Sequence, residues 1–245
     1  MDALLFDNAT DNVLSDGPIR TVSLQSVEPN KKQPRKYFDK EALQELADSI
    51  AAKDDRFLWP ADKDLRTWHV HIGVDFGGNG SATSFVCIGI LRGYKGIAIL
   101  REYYHKGVTT PTEQEDEFVR FARECKEDFG CREVYCDSAE QTLIAGFKAA
   151  ALKSGLFIDI QNAKKGEIID RIRFTLRLMG RGAFFVDPAC THLREALTSA
   201  VYDSKHVTED KRLDDGSTNI DSLDAMEYAC EPVMDAIISV SGVRP

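Results

Sequence analysis

Residues 69–104 carry three β-type runs, 69–76, 83–91 and 96–104, separated by turns too short to contain a helix. Strands joined this closely must pair antiparallel, because a parallel pair needs a crossover of roughly a dozen residues or more. The first connection, Gly77-Gly78-Asn79-Gly80-Ser81, is glycine-rich turn chemistry. Beyond Pro111 the texture changes. A helix is predicted over 111–129, a strand over 133–137, a helix over 140–153, a strand over 157–161 and a helix over 167–179. A short strand over 183–186, a helix over 191–201 and a long helix over 221–239, which Pro232 is placed to kink, complete the pattern. Strand alternating with helix calls for parallel pairing. The expected class is therefore α/β: a mixed sheet, built from an antiparallel three-strand meander plus βαβ units and flanked by helices.

The first 67 residues differ from this. Asp, Asn, Lys and Pro punctuate them, and one helix is predicted, over 40–52. Turn formers over 54–67 mark a boundary, which gives an appendage and linker over 1–67 and a main domain over 68–245. The longest uncharged stretch, 76–91, is 16 residues long and broken by Gly and Ser, too short to span a membrane. The start is acidic and lacks the basic and apolar regions of an export signal, so a cytoplasmic location is expected. Six cysteines (87, 125, 131, 136, 190 and 230) show no C-x-x-C pairing, which fits reduced core thiols better than a disulfide framework or a zinc ribbon.

Charge narrows the function. With 31 Lys+Arg against 40 Asp+Glu the chain carries a net charge of −9, the wrong sign for holding nucleic acid by a basic surface alone. A metal-dependent nuclease resolves the conflict, because clustered carboxylates attract phosphate once divalent cations bind them.

The acidic residues are placed to do this. Asp75 ends the apolar run His71-Ile72-Gly73-Val74-Asp75-Phe76, and Asp137 ends Val134-Tyr135-Cys136 before Ser138-Ala139-Glu140. A strand end followed by small residues holds a carboxylate rigidly and leaves room beside it. Asp221 and Asp224 stand three apart and share a helix face. Two-metal phosphodiester cleavage needs carboxylates gripping two cations about 3.5–4 Å apart. Each residue also has a plainer role: Asp137 and Glu140 as helix caps, Asp221 as a partner of its own helix dipole, Asp75 as a turn former. The order strand-Asp, strand-Asp, helix-Asp on this element pattern favours the cluster. Lys164, Lys165, Arg171 and Arg173 are the candidates for weak phosphate contacts, with a solvated helix face the equal alternative. His192 and His206 have no partner at metal spacing and read as ordinary polar residues.

Four motifs together resemble the C-terminal nuclease domain of tailed-phage terminase large subunits, over about residues 68–235: Gly73-Val74-Asp75-Phe76-Gly77, Tyr135-Cys136-Asp137-Ser138-Ala139-Glu140, Ala163-Lys164-Lys165-Gly166, and Asp224-Ala225-x-x-Tyr228. The resemblance implies a ribonuclease-H-like fold and a DNA endonuclease using two Mg²⁺ or Mn²⁺ ions. It assigns Asp75, Asp137 and Asp224 as catalytic metal ligands. Some members have a histidine where this chain has Asp221, the candidate fourth ligand, and a proline where it has Gln141. Double-stranded DNA, a separate packaging motor, a small terminase subunit and a portal are the implied partners, in a bacterial host cytoplasm with a phage or prophage gene. Full terminases carry a packaging ATPase; this sequence has no G-x-x-x-x-G-K-[ST] run, so translocation by this chain alone is not expected.

The appendage resembles something else. Thr21-Val22-Ser23-Leu24, Pro29-Asn30, Gln33-Pro34-Arg35-Lys36 and Leu43-x-x-Leu46 are similar to the opening of ParB-type partition proteins over about residues 20–53. The family's later Gly-Glu-Arg-Arg box and helix-turn-helix are not present, which favours a small cap or fusion remnant over a working CTP switch. Two other functions compete with the nuclease. Gly73-Val74-Asp75-Phe76-Gly77-Gly78 also resembles the first phosphate loop of actin/hexokinase-type ATPases, although the main domain is short for their duplicated fold and has no second phosphate loop. A non-catalytic packaging or partition adaptor is the third reading.

Overall fold

A computed structural model describes residues 66–77, 81–199 and 220–240. The appendage with the helix predicted over 40–52, the centre of the turn after Gly77, His206 and the end of the helix expected to reach residue 201 lie outside the described residues.

Three strands open the described domain: β1 (Thr67–Asp75), β2 (Ala82–Leu91) and β3 (Ile97–Lys106). They form the expected antiparallel meander, with Asp75 opposite Ser84 and Ser84 opposite Tyr104. Helix α1 (Pro111–Phe129) follows, started by a capping box in which the Thr110 hydroxyl accepts from the Glu113 amide and the Glu113 carboxylate accepts from the Thr110 amide. Then come β4 (Glu133–Cys136), α2 (Gln141–Lys153), β5 (Asp159–Asn162), α3 (Ile168–Gly180), β6 (Phe184–Val186), α4 (Thr191–Ser199) and α5 (Asp221–Cys230). The strands form one six-stranded sheet in the order β5-β4-β1-β2-β3-β6, with β4, β5 and β6 entering parallel to their neighbours.

Most boundaries fall within two residues of those expected, and two differences bear on the fold. The strand predicted over 157–161 begins only at Asp159, and Phe157 stands exposed in the loop before it. The last helix is interrupted rather than kinked: Pro232 sits in a 3₁₀ turn over Glu231–Val233, and a short helix α6 (Met234–Val240) restarts after it. Proline has no amide hydrogen and its ring clashes with the preceding turn, so the α-type ladder cannot run through it.

Strand periodicity divides the core between the two sheet faces. Val70, Ile72, Val74, Phe85, Val134 and Cys136 point to the face covered by α1 and α2, where Phe85, Phe118, Phe121 and Phe147 pack ring on ring. Val86, Ile88, Ile97, Ile99, Phe184 and Val186 point to the other face, under α3, α4, α5 and α6. Helix α5 is buried almost all round, from Ser222 to Cys230 save Asp224, and lies directly on β1 and β2. Gly73 permits this seat: a Cβ there would stand 1.7 Å from the Ala225 carbonyl oxygen. All six cysteines are buried with free thiols. Among the described residues no helix is long and apolar enough to cross a membrane.

Candidate active site

Alternation along β1 puts His71, Gly73 and Asp75 on the face opposite Val70, Ile72 and Val74, and thus under α5. The register of β1 with β4 aligns Val74 with Cys136, so the next residues, Asp75 and Asp137, leave the same end of two adjacent parallel strands. The Asp137 amide donates to the Val74 carbonyl at 2.9 Å, which fixes the two backbones together beyond the last paired residues. Ligand sites of open α/β sheets collect at this carboxyl end of parallel strands.

Helix α5 brings the other two candidates. Asp221 and Asp224 occupy its first turn, where the macrodipole favours negative charge. Two contacts besides Gly73 hold the helix in register: the Ser84 and Ser222 hydroxyls meet at 3.0 Å, and His71 Nδ1 lies 3.0 Å from the Ala229 carbonyl oxygen. Ser84 is the β2 partner of Asp75, so the serine pair ties α5 to the strand position beside the aspartate. Burial pushes the His71 imidazole below its ordinary pKa.

The four carboxylates share one electrostatic environment. Burial first, then the charges of Asp224, Asp221 and Asp137, push the Asp75 carboxyl well above the usual carboxylate range, against a smaller opposing pull from Lys165. Burial first, then three of these aspartates, Asp224, Asp75 and Asp137, push the Tyr228 phenol up, opposed by Arg171. An oxygen-only set of this kind suits hard divalent cations such as Mg²⁺ and Mn²⁺ in donor chemistry. As the side chains are placed, however, no three His, Cys, Asp or Glu among the described residues converge on a common metal position.

Two basic side chains reach into the acidic group. Lys165 Nζ lies 2.6 Å from Asp137 Oδ1 and over the Tyr228 ring, 5.8 Å from its centre. Arg171 is buried, with Nη1 3.2 Å from Glu227 Oε2 and 3.8 Å from Asp224 Oδ1, and Nε 3.9 Å from Glu231 Oε1. Its guanidinium thus faces acids of α5 and the turn that follows, not the solvent side of α3. Lys164 is exposed and Arg173 half-buried. His192 stacks on Tyr104 with ring centres 4.0 Å apart.

Sequence reasoning missed Glu227 and Glu231. Glu227 is 1% exposed and pairs with Arg171. Glu231 accepts from the Lys165 amide at 3.0 Å and the Gly166 amide at 2.8 Å, so one carboxylate braces the loop that carries Lys165. Their spacing was the available signal, since Asp224, Glu227 and Glu231 recur at i, i+3 and i+7 on one helical face. Glu102 was also passed over: it lies partly buried on β3, accepts from the His192 amide at 3.0 Å, and has its pKa raised by burial.

Comparison with known proteins agrees with this architecture. A model of the ParB N-terminal domain matches residues 8–58, a wider span than the 20–53 read from the sequence. No curated protein sequence matches the chain. A large terminase from a thermophilic bacteriophage superposes with a TM-score of 0.56 at 21% identity, over 71% of this chain and 42% of that one. The g2p large-terminase nuclease domain of bacteriophage SPP1, solved with bound Mn, gives a TM-score of 0.51 at 22% identity, over 68% of this chain and 88% of that domain. The large terminase nuclease of the thermophilic phage G20c gives 0.53 at 18% identity, over 75% and 97%. The chain spans less than half the length of the first of these, the large terminase. Its described domain has the fold of the terminase nuclease domains, a ribonuclease-H-like mixed sheet flanked by helices.

Proposed function

We propose that the domain beginning near residue 68 is a metal-dependent endonuclease that cleaves double-stranded DNA, of the kind used in phage genome packaging. One observation carries the reading: a half-buried aspartate, Asp75, at the carboxyl end of β1 lies among the charges of Asp137, on the adjacent parallel strand, and of Asp221 and Asp224 on α5. Repulsion among partly desolvated carboxylates is unfavourable unless cations relieve it, which makes such a cluster physically sensible where divalent cations are bound. The fold shared with terminase nuclease domains, one of them solved with bound Mn, supports the same reading.

In this proposal Asp75, Asp137 and Asp224 are the principal ligands for Mg²⁺ or Mn²⁺, with Asp221 the fourth candidate. The bound ions would activate a water and stabilise the leaving oxygen of the phosphodiester. The chain's own residues prepare that chemistry. The β1–β4 register and the Asp137–Val74 hydrogen bond fix two carboxylates relative to each other, and the seat of α5 on Gly73 fixes Asp224 against them. Arg171 balances Glu227 and Glu231, so these acids need not compete for the ions. Lys164 and Arg173 remain the candidates for phosphate contacts, and with a net charge of −9 affinity for DNA should be weak and fall with salt. A separate motor and recognition subunit would supply the DNA.

The test is incubation of the purified chain with supercoiled plasmid and Mn²⁺ or Mg²⁺, with and without chelator. Metal-dependent nicking and linearisation, lost in Asp75→Asn, Asp137→Asn and Asp224→Asn, supports the reading; full activity in two of the three variants overturns it. A non-catalytic packaging or partition adaptor is the second reading, favoured by the Lys165–Asp137 pair and by ligands that do not converge as placed. That adaptor would show neither metal binding nor cleavage.

A further inference from the structure

Lys165 departs from ordinary backbone geometry. Its φ is +54°, one of two positive values among the described non-glycine residues. For a residue with a Cβ this region is disfavoured and persists only where the surroundings enforce it. Here they do so through Glu231, whose 5%-exposed carboxylate accepts from the amides of both Lys165 and Gly166. Glu231 belongs to the turn that ends α5, the helix that carries Asp221 and Asp224. The consequence of the enforced conformation is seen at the other end of the side chain: the ammonium sits 2.6 Å from Asp137 Oδ1, above the face of Tyr228. Two groups, Asp137 and Tyr228, therefore meet the cation, while Glu231 holds the backbone that carries it. A solvated surface lysine needs none of them; Lys164 and Lys165 are both exposed, and it is the ammonium's partners, not burial, that set Lys165 apart.

We infer that Lys165, braced by Glu231, is an internal counter-cation of the acidic site, held on Asp137 when no divalent ion is bound and displaced when one binds. The inference rests on the nuclease reading for the identity of the incoming ion, but its first half concerns the metal-free protein alone. Its physical basis is exchange. Asp137 Oδ1 already accepts from Lys165 and from the Ala139 amide at 2.8 Å, so a metal ion approaching this oxygen competes with a cation in place. The ammonium's own charge also pulls the Asp75 carboxyl down, against the larger upward push of burial and the neighbouring aspartates. Such a pair offsets negative charge in the metal-free site and raises the divalent-ion concentration needed to occupy it. Glu231 is a positioning residue in this scheme, acting through the Lys165 loop.

The test is amine-reactive labelling of the full chain, read as modification of Lys165 relative to Lys164 by peptide mass spectrometry. In chelator, Lys165 should label several-fold more slowly than Lys164. Asp137→Asn should remove that protection with no metal present, and Glu231→Gln should reduce it. Titrating Mg²⁺ into the unsubstituted protein should raise Lys165 labelling several-fold while Lys164 stays constant. In parallel, Lys165→Gln should bind Mn²⁺ more tightly by calorimetry, whereas Lys164→Gln should change affinity little. Equal labelling of the two lysines in chelator, or no response to Asp137→Asn, overturns the counter-cation itself. Protection that persists once Mg²⁺ has bound overturns displacement. If Asp137→Asn exposes Lys165 but calorimetry detects no Mg²⁺ or Mn²⁺ binding at all, the nuclease reading fails and displacement fails with it, while the pair in the metal-free protein stands.

Discussion

Replacing Gly73 by alanine perturbs the seat of the site with a single methyl group. The added Cβ would lie 1.7 Å from the Ala225 oxygen, 2.8 Å from the Ala225 carbonyl carbon and 3.0 Å from the Ala229 amide nitrogen. All three are backbone atoms of a buried helix, so no side chain can swing aside. Ordinary contact requires α5 to retreat from β1 by about 1.5–2 Å, and overpacking of this kind typically costs about 1–3 kcal/mol. For a domain of this size that corresponds to a fall of roughly 2–12 °C in Tm. Asp224 adjoins Ala225 and moves with it, and a misplacement of about 1 Å at a reacting centre can lower rate by ~10²-fold. Denaturant unfolding and plasmid cleavage on the same preparation measure the two effects. A Gly73→Ala protein that is as stable and as active as its parent would refute the placement of α5 against β1.

Other outcomes follow from the charges. Arg171→Met removes the guanidinium that faces buried Glu227 and Glu231 and should destabilise by about 3–5 kcal/mol, with much of the loss recovered in Arg171→Met/Glu227→Met; urea melts check both. In chelator, the raised Asp75 carboxyl stabilises the fold fully below its ordinary value of 3.8, and that contribution is lost as pH rises through the higher folded value. Asp75→Asn should therefore flatten the fall in stability with rising pH, as read by thermal melts in chelator across a pH series. A divalent ion at one hundred times its dissociation constant should stabilise the parent protein by about 2.7 kcal/mol, and removing it with chelator should reverse this. Deleting residues 1–60 should leave cleavage largely unchanged, because every candidate ligand lies beyond them; loss of metal-dependent cutting in that variant would show that the appendage completes the nuclease.

The parts of the fold legible in the sequence were those written in local periodicity. Three short-turned β runs over 69–104 could pair only antiparallel, and Pro111 marks the start of α1, whose capping box at Thr110 the structure adds. Asp75 and Asp137 stood out because each ends an apolar strand before small residues, a signal contained within about six positions. What escaped depends on distant pairing. Arg171 reads as one charge on an amphipathic helix until α5, some fifty residues later, supplies Glu227 and Glu231. Lys165 reads as half of a basic pair, since nothing local reveals that Glu231 braces its backbone. The late start of β5 has a similar cause: Phe157 has the β propensity of a strand residue but stands exposed, because pairing with β4 runs from Asp159 opposite Glu133 to Asn162 opposite Cys136.

The central claim is that these carboxylates hold divalent cations, and anomalous diffraction from crystals of the chain grown with Mn²⁺ tests it most directly. The expected map has one or two Mn²⁺ peaks ligated by Asp75 together with Asp137 or Asp224, with the Lys165 ammonium no longer on Asp137. A map at saturating Mn²⁺ with no anomalous peak at Asp75, and with Lys165 still paired to Asp137, would contradict it.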